Sequence, residues 1–163
     1  MPEFAFTPLA DQEDVLDGMI LGHIDITGKS GSATTRSPRV PDGGLGILLL
    51  PAVVDLLDGV AGLLRRGRGR FTCSDAGVTF RLKDRVLTMR RMFTVLDESS
   101  PHAVAEALGT AAQRLSDSHL PGIKAPTEDT TVAEDGTIEY VDYRIRLPEA
   151  IAAFQDARRS LTG

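Results

Sequence analysis

The tripeptide Gly28-Lys29-Ser30 has the residue types found at the end of a phosphate-binding loop. Such a loop needs a glycine five positions before its last glycine, so that backbone N–H groups surround the phosphates, and a helix must follow it. His23 occupies the position of that glycine, and residues 32–36 are mostly small or β-branched, which is typical of a strand. We therefore expect the tripeptide to form the turn of a β-hairpin.

Histidine and cysteine, which serve as metal ligands and catalytic groups, are few and widely spaced. His23, His102 and His119 have no second histidine or cysteine at helical spacing, and Cys73 is the single cysteine. A zinc site is therefore not expected, and no disulfide can form within the chain. Cys73 alternates with polar residues as in a strand, which is typical of a small buried apolar side chain. A nucleophilic role would require a histidine brought close by folding.

Carboxylates occur in groupings that acid–base chemistry or metal binding could use. Asp55 and Asp58 lie three residues apart on one side of a predicted helix, and Asp25 shares a strand face with His23. We favour a solvent-facing flank or pairing with arginines for the first pair, and chance alternation for the second. The acidic residues near the N-terminus do not match an EF-hand; they are Asp11, Glu13, Asp14 and Asp17. We predict no catalytic residue, no metal and no cofactor.

Three helices follow from apolar periodicity. The clearest has an apolar face formed by Val53, Leu56, Leu57, Val60, Leu63 and Leu64. Pro51 suits its first turn and Gly67 its end. A second helix is predicted after a serine cap at residue 99 or 100, and a third from Pro148 onward.

Strands follow from alternation of apolar and polar residues. They are expected near residues 4–9, 19–27, 32–36 and 137–146, and in a β-meander over residues 70–96 with a bulge near 90–91. This order lacks the regular alternation of βαβ units. We predict one α+β domain over residues 1–163, with a mostly antiparallel sheet of about six strands and about three helices packed on one face. A mobile loop is expected around residues 120–136.

Composition places the chain among ordinary folded domains. Of its 163 residues, 42% are hydrophobic, 25% charged and 5% aromatic, and the net charge is −5. These values exclude a disordered acidic tail and a disulfide-dense mini-protein. The single cysteine and the lack of a basic, apolar leader predict a cytoplasmic location. Arginine outnumbers lysine 15 to 3, a usage common in GC-rich genomes, which indicates a bacterial source.

The most apolar stretch, residues 45–64, has about the length of a membrane span. Asp55 and Asp58 interrupt it near its middle, where each charge costs about 2.5–3.5 kcal/mol on insertion scales. We therefore predict a buried helix and no membrane association.

Charge is distributed unevenly along the chain. Residues 65–91 contain nine basic and two acidic residues, a net charge of +7, whereas residues 125–143 contain six acidic residues and no lysine or arginine. Either the acidic segment covers the basic one and neutralises it, or the basic strands present an open face to an anionic partner. The predicted partner-binding residues are Arg68, Arg70, Arg81, Lys83, Arg85, Arg90 and Arg91.

This charge pattern predicts a non-enzymatic interaction module, such as a bacterial toxin-immunity or accessory protein. It would bind a protein partner through the arginine-rich meander or the acidic loop, because arginine suits bidentate recognition of carboxylates and acidic loops suit basic partners. An exposed edge of the meander would also allow a homodimer.

Two alternatives to this function remain. Nucleic-acid binding through the meander is disfavoured because Phe71, Phe80 and Phe93 are expected in the core, which leaves few aromatic rings for base stacking. A small enzyme or ligand carrier would have to assemble residues that are distant in sequence. The first candidates for such a site are His23, Asp55, Asp58 and Cys73.

Overall fold

The computed structural model describes residues 1–10, 12, 19–123 and 141–162. These residues form three long helices and eight strands, and the predicted α+β class is confirmed. The strands make two four-stranded antiparallel sheets, whereas the sequence predicts about six strands in one sheet. The division arises because a long helix separates the first group of strands from the meander, and strands that follow one another in sequence tend to pair.

The first sheet contains four strands: β1 (Glu3–Pro8), β2 (Leu21–Thr27), β3 (Ser32–Thr34) and β4 (Ile47–Leu48). Strand β2 lies at its centre and pairs antiparallel with each of the others. Strand β2 contributes Ile24 and Ile26 to the core, and both side chains are fully buried.

Helix α1 (Leu49–Arg66) forms the middle of the core, and 11 of its 18 residues are buried. Pro51 lies in the first turn, where its missing N–H has no helical partner. Gly67 ends the helix with φ of 68° and donates its N–H to the Leu63 carbonyl at 2.9 Å. No helix in the described part of the chain has both the length and the apolar composition needed to span a membrane.

The second sheet is the predicted meander: β5 (Gly69–Cys73), β6 (Val78–Lys83), β7 (Val86–Arg91) and β8 (Thr94–Ser99). The strands pair in chain order, and each pair is antiparallel. The predicted bulge is present, since the register between β7 and β8 shifts between Met89 and Arg90. The inward residues of β6 are Val78, Phe80 and Leu82.

Helix α2 (Pro101–His119) begins as predicted, because the Ser100 hydroxyl accepts a hydrogen bond from the Ala103 N–H at 3.2 Å. Helix α3 (Tyr143–Arg159) begins earlier than predicted, so the strand predicted over residues 137–146 is wrong over 141–146. The Asp142 carboxylate accepts the Arg144 N–H at 3.0 Å and caps the helix.

Two predictions fall partly outside the described residues. The loop predicted around residues 120–136 begins with a short 3-10 turn, Leu120–Gly122. The rest of that loop from residue 124, and residues 137–140 of the predicted strand, lie beyond the described part of the chain.

The turn between β2 and β3 joins the two sheets. The Lys29 N–H donates to the Asp97 carboxylate at 3.0 Å, and the Ser30 N–H donates to the Leu96 carbonyl at 2.9 Å. A Cβ on Gly28 would lie only 2.2 Å from the Leu96 carbonyl oxygen, so this close approach requires glycine. The turn predicted at Gly28-Lys29-Ser30 is confirmed, and its backbone N–H groups form hydrogen bonds with β8 of the second sheet.

Aromatic and helical packing complete the core between the sheets. Phe4 of β1 and Phe80 of β6 stack with their ring centroids 6.4 Å apart. Helix α1 contacts both sheets and α3, while α2 packs against β1 and α3. None of the three long helices described packs on the other side of the second sheet, and the charged residues on that side are exposed.

Candidate binding surface

The predicted partner-binding residues are all exposed. Arg70, Arg81, Lys83 and Arg90 alternate with inward-facing residues along β5, β6 and β7, so their side chains share the outer side of the second sheet. These four residues are named the basic face. The other three lie at its margins: Arg68 before β5, Arg85 in the β6–β7 turn and Arg91 at the end of β7.

Like charges oppose one another within the basic face. Arg70 of β5 is the direct cross-strand neighbour of Arg81 in β6. Like charges directly opposite destabilise a strand pair, on a scale of roughly 0.2–1 kcal/mol for such cross-strand interactions. In the next row, the Thr72 and Thr79 hydroxyls are hydrogen-bonded at 3.0 Å, and Thr79 lies opposite Arg90. Arg70 and Arg81 therefore repel one another on the outer side of the sheet, and neither side chain is part of the core.

Among the described residues, few counter-ions lie near the basic face; most of the acidic segment 125–143 lies outside them. Within the part of the chain that the structure describes, the three arginines of the basic face form no ion pair. Lys83 has one carboxylate within 4 Å, that of Asp84 at 3.9 Å, and both side chains are largely exposed. By contrast, Arg36 in the first sheet region is paired with Asp25 at 3.1 Å.

Two surface depressions extend the basic surface toward the helices. The first, of about 740 Å³, lies beside β5 and is lined by five cations: Arg66, Arg68, Arg70, Arg81 and Lys83. The second, of about 730 Å³, shares Arg66 and reaches Arg85 and His102 at the start of α2. Sequence reasoning missed Arg66, although the basic run contains it, and missed His102, for which the sequence holds no local signal.

The β7–β8 turn contradicts the prediction that Phe93 lies in the core. Met92 and Phe93 occupy the two turn positions, with 83% and 94% of their surface exposed. Phe80 is fully buried and Phe71 partly buried, as that prediction requires. The turn interrupts the alternation of apolar and polar residues between β7 and β8, so Phe93 lies outside the sheet.

Cys73 has the environment of a structural cysteine. It is buried in β5, and this burial raises the pKa of its thiol. A backbone hydrogen bond from Ala76 opposes this rise in pKa, the carboxylates of Asp75 and Asp55 add to it, and a backbone hydrogen bond from Asp75 also opposes it. A thiol that stays protonated is a poor nucleophile, which agrees with the predicted apolar role.

Asp55 and Asp58 lie on the exposed flank of α1, as predicted. Asp58 forms an ion pair with Arg146 of α3. Partial burial raises the pKa of Asp55, and the carboxylates of Asp75 and Asp58 raise it further. Among the described residues, no three histidine, cysteine or acidic side chains are grouped to hold a metal ion. The N-terminal acidic residues Asp11, Glu13, Asp14 and Asp17 lie outside the described residues.

His23 and Asp25 do not form an orienting pair. The Asp25 carboxylate is bound by Arg36, and His23 Nδ1 lies 3.3 Å from the Thr35 hydroxyl. His23 is fully buried, and its Nε2 has no hydrogen-bond partner among the described residues. The backbone of Gly43 packs against this nitrogen, since a Cβ there would lie 3.2 Å from Nε2.

Comparison with known proteins returns no match: no family model, no curated protein and no solved structure is similar to the chain. The chemistry of the exposed surface is therefore the basis for inferring function.

Proposed function

We propose that the protein is an interaction module whose basic face recognises an acidic surface on a protein partner. The opposition of Arg70 and Arg81, with no described carboxylate paired to either, is the observation that carries this proposal. A partner carboxylate placed between the two guanidinium groups would relieve their repulsion and form charge-assisted hydrogen bonds. Binding would thus offset the electrostatic free energy that the repulsion between Arg70 and Arg81 costs the unbound protein.

The shape of the surface supports a protein partner. Four strands at a spacing of about 4.8 Å make a face roughly 14 Å across, and its side chains stand on regular backbone. Specific protein interfaces bury about 800 Å² on each partner, which is more than this face alone. The depression beside β5, with Arg66 and Arg68, enlarges the area available for contact. We favour a toxin-immunity or accessory role, since both depend on recognition of a partner protein.

Nucleic-acid binding is the second candidate, because the exposed Phe93 offers one aromatic ring for stacking. One observation makes it the less favoured candidate. The outer positions among the cations are occupied by threonines rather than aromatic residues; they are Thr72, Thr79 and Thr88. This face therefore offers no ring of its own for base stacking.

A titration with two anionic probes tests the proposal. A labelled oligoglutamate peptide and a single-stranded oligonucleotide of equal charge are titrated at an ionic strength of about 0.15 M, with fluorescence anisotropy as the readout. We expect the peptide to bind more tightly than the oligonucleotide. Arg81→Glu should weaken peptide binding by about tenfold, because it removes one carboxylate-binding group and adds a like charge.

Arg114→Glu is the matched control, since Arg114 is exposed on α2 and the net charge changes equally. It should change the affinity by less than about twofold. Equal weakening by both variants would show that binding follows net charge only and would contradict the proposal. Tighter binding of the oligonucleotide, with a steep salt dependence, would favour the second candidate.

A further inference from the structure

Two-residue turns close β7 at both ends, and the side chains that they expose differ in polarity. The β6–β7 turn consists of Asp84 and Arg85, with φ of 51° and 63°, and both side chains are polar. The β7–β8 turn consists of Met92 and Phe93, and Met92 has φ of 52°. Positive φ in such turns favours glycine, asparagine and aspartate. Asp84 follows that preference, whereas Arg85 and Met92 do not, so the two turns differ in the polarity of their side chains and not in backbone strain.

The β7–β8 turn, named the apolar tip, is unfavourable for the free protein in two respects. The backbone of Met92 lies in the left-handed region, which strains a residue with a side chain. Met92 and Phe93 also expose nearly all of their apolar surface, so they add little to the core. Single exposed apolar residues are ordinary, but an adjacent pair on a strained turn breaks two local rules together. Such violations without a structural gain are expected at functional sites.

We propose that the apolar tip is the anchor of the partner interface, and that it inserts into a nonpolar pocket bordered by carboxylates. This inference rests on the proposed function, since Arg90 and Arg91 immediately precede the tip and would contact that acidic border. Aromatic residues, methionine and arginine are the residue types enriched in protein interfaces, and hot spots combine a buried anchor with charged neighbours.

The position of the tip favours a protein over a lipid surface. Lys83 lies four residues along β6 from Thr79, which is the partner of Arg90, so these cations are separated by roughly 14 Å. If the tip contacted a membrane, the distance from Lys83 to the lipid headgroups would exceed the electrostatic screening length of about 8 Å. Lys83 would then not contribute to membrane binding. A protein surface that lies along the sheet contacts the tip and the basic face together.

Two synthetic peptides of equal length and charge test the anchor. In one, glutamate alternates with leucine, and in the other glutamate alternates with serine. We expect the wild-type protein to bind the leucine peptide about tenfold more tightly, because its apolar side chains cover the tip. Met92→Gly combined with Phe93→Asn should remove this preference and leave the affinity for the serine peptide unchanged.

Val86→Thr is the matched control, because Val86 is 43% exposed at the opposite end of β7. It should retain the tenfold preference. The thermal midpoint of the double variant should equal or exceed that of the wild type, since glycine suits the positive φ of the first turn position. A lower midpoint would show that the tip is needed for folding and would overturn the proposal.

The failure of the anchor and the failure of the proposed function give different results. Equal binding of the two peptides by the wild-type protein would overturn the anchor and keep the basic face as an acidic-protein site. Binding of neither peptide would overturn both. Vesicles of phosphatidylserine and phosphatidylcholine form a third arm. If the wild-type protein binds them more tightly than the leucine peptide, and the double variant does not, the tip contacts a membrane and the proposal is wrong.

Discussion

Buried polar groups are hydrogen-bonded at the junction between the sheets, where the β2–β3 turn contacts Leu96 and Asp97, whereas the outer side of the second sheet places like charges opposite one another. At the junction, Asp97 is fully buried and accepts hydrogen bonds from the Lys29 N–H and the Ser99 hydroxyl. On the outer side, Arg70 and Arg81 face one another with no ion pair to a described residue. The two regions share strands of one sheet, so the difference does not arise from different secondary structure.

The contrast separates residues that the fold requires from residues that it tolerates. A buried carboxylate must have hydrogen-bond donors, because leaving it unpaired costs several kcal/mol. Exposed arginines carry no such requirement, and solvent screens much of their repulsion. Substitutions at the junction should therefore lower stability, while substitutions that relieve like charge should raise it.

The largest effect is expected at Gly28. Gly28→Ala should lower the free energy of unfolding by about 3 kcal/mol, because its Cβ would meet backbone atoms of Leu96 that cannot move independently. Gly31→Ala in the same turn is the control, since its nearest neighbour is the Leu96 side chain at 3.2 Å. That variant should stay within about 1 kcal/mol of the wild type. Urea denaturation followed by circular dichroism measures both.

Equal losses in the two glycine variants would show that the turn is sensitive to any side chain, and the specific contact with Leu96 would lose its importance. Under conditions in which Gly28→Ala remains folded, its affinity for the oligoglutamate peptide should match that of the wild type. That result would separate the junction from the binding surface.

The junction also illustrates which parts of the fold the sequence predicts. Elements with a clear local signal are predicted well. Gly28-Lys29-Ser30 has the composition of a turn, β6 alternates strictly, and α1 has one apolar face. A sequence pattern that is compatible with both a strand and a helix does not predict which of the two forms. Residues 141–146 alternate as in a strand, but the Asp142 cap and the spacing of Leu147 and Ile151 favour the helix that forms. The docking of the turn on Asp97 depends on tertiary contact and has no local signature.

The candidate surface is predictable in part for the same reason. The run of cations over residues 65–91 is visible in the sequence, and alternation along β6 assigns Arg81 and Lys83 to one side. The prediction for Phe93 is wrong because its turn lacks the glycine or asparagine that marks a hairpin. His102 joins the surface only because α2 begins beside α1, which no sequence spacing indicates.

A smaller effect, of opposite sign, is expected at Arg81. Arg81→Glu turns the repulsion with Arg70 into an attraction and should raise the free energy of unfolding by about 0.2–1 kcal/mol. The gain should shrink in high salt, because both side chains are exposed and screening weakens the pair. The exposed Arg114→Glu should change stability little. Denaturation curves at low and high salt measure the gain.

Loss of stability in Arg81→Glu would mean that Arg81 stabilises the sheet through packing of its aliphatic stem. The basic face would then contribute to folding as well as to binding. A gain in stability together with weaker oligoglutamate binding is the combination that a binding residue should give. A residue with only a structural role would not show these two opposite changes.

The smallest effect is expected at Asp55, where burial and neighbouring carboxylates both oppose ionisation. Partial burial and the carboxylates of Asp75 and Asp58 raise the pKa of Asp55, although Arg146 opposes this. A raised pKa means that the folded protein holds the proton more tightly than the unfolded chain does. The stability from this group is present below the unfolded pKa of about 3.9 and is lost as pH rises through the folded pKa.

Asp55→Asn cannot ionise, so it should be more stable than the wild type at neutral pH, and the difference should vanish below pH about 3.9. Asp58→Asn is the control, because it also removes a charge from this flank but breaks the ion pair with Arg146, and it should bring no gain. Urea denaturation at neutral and acid pH measures both variants. If Asp55→Asn brings no gain at neutral pH, burial and like charge do not destabilise the folded protein at this site. The gain expected from Arg81→Glu is independent of that result, because it depends on the attraction between the introduced carboxylate and Arg70.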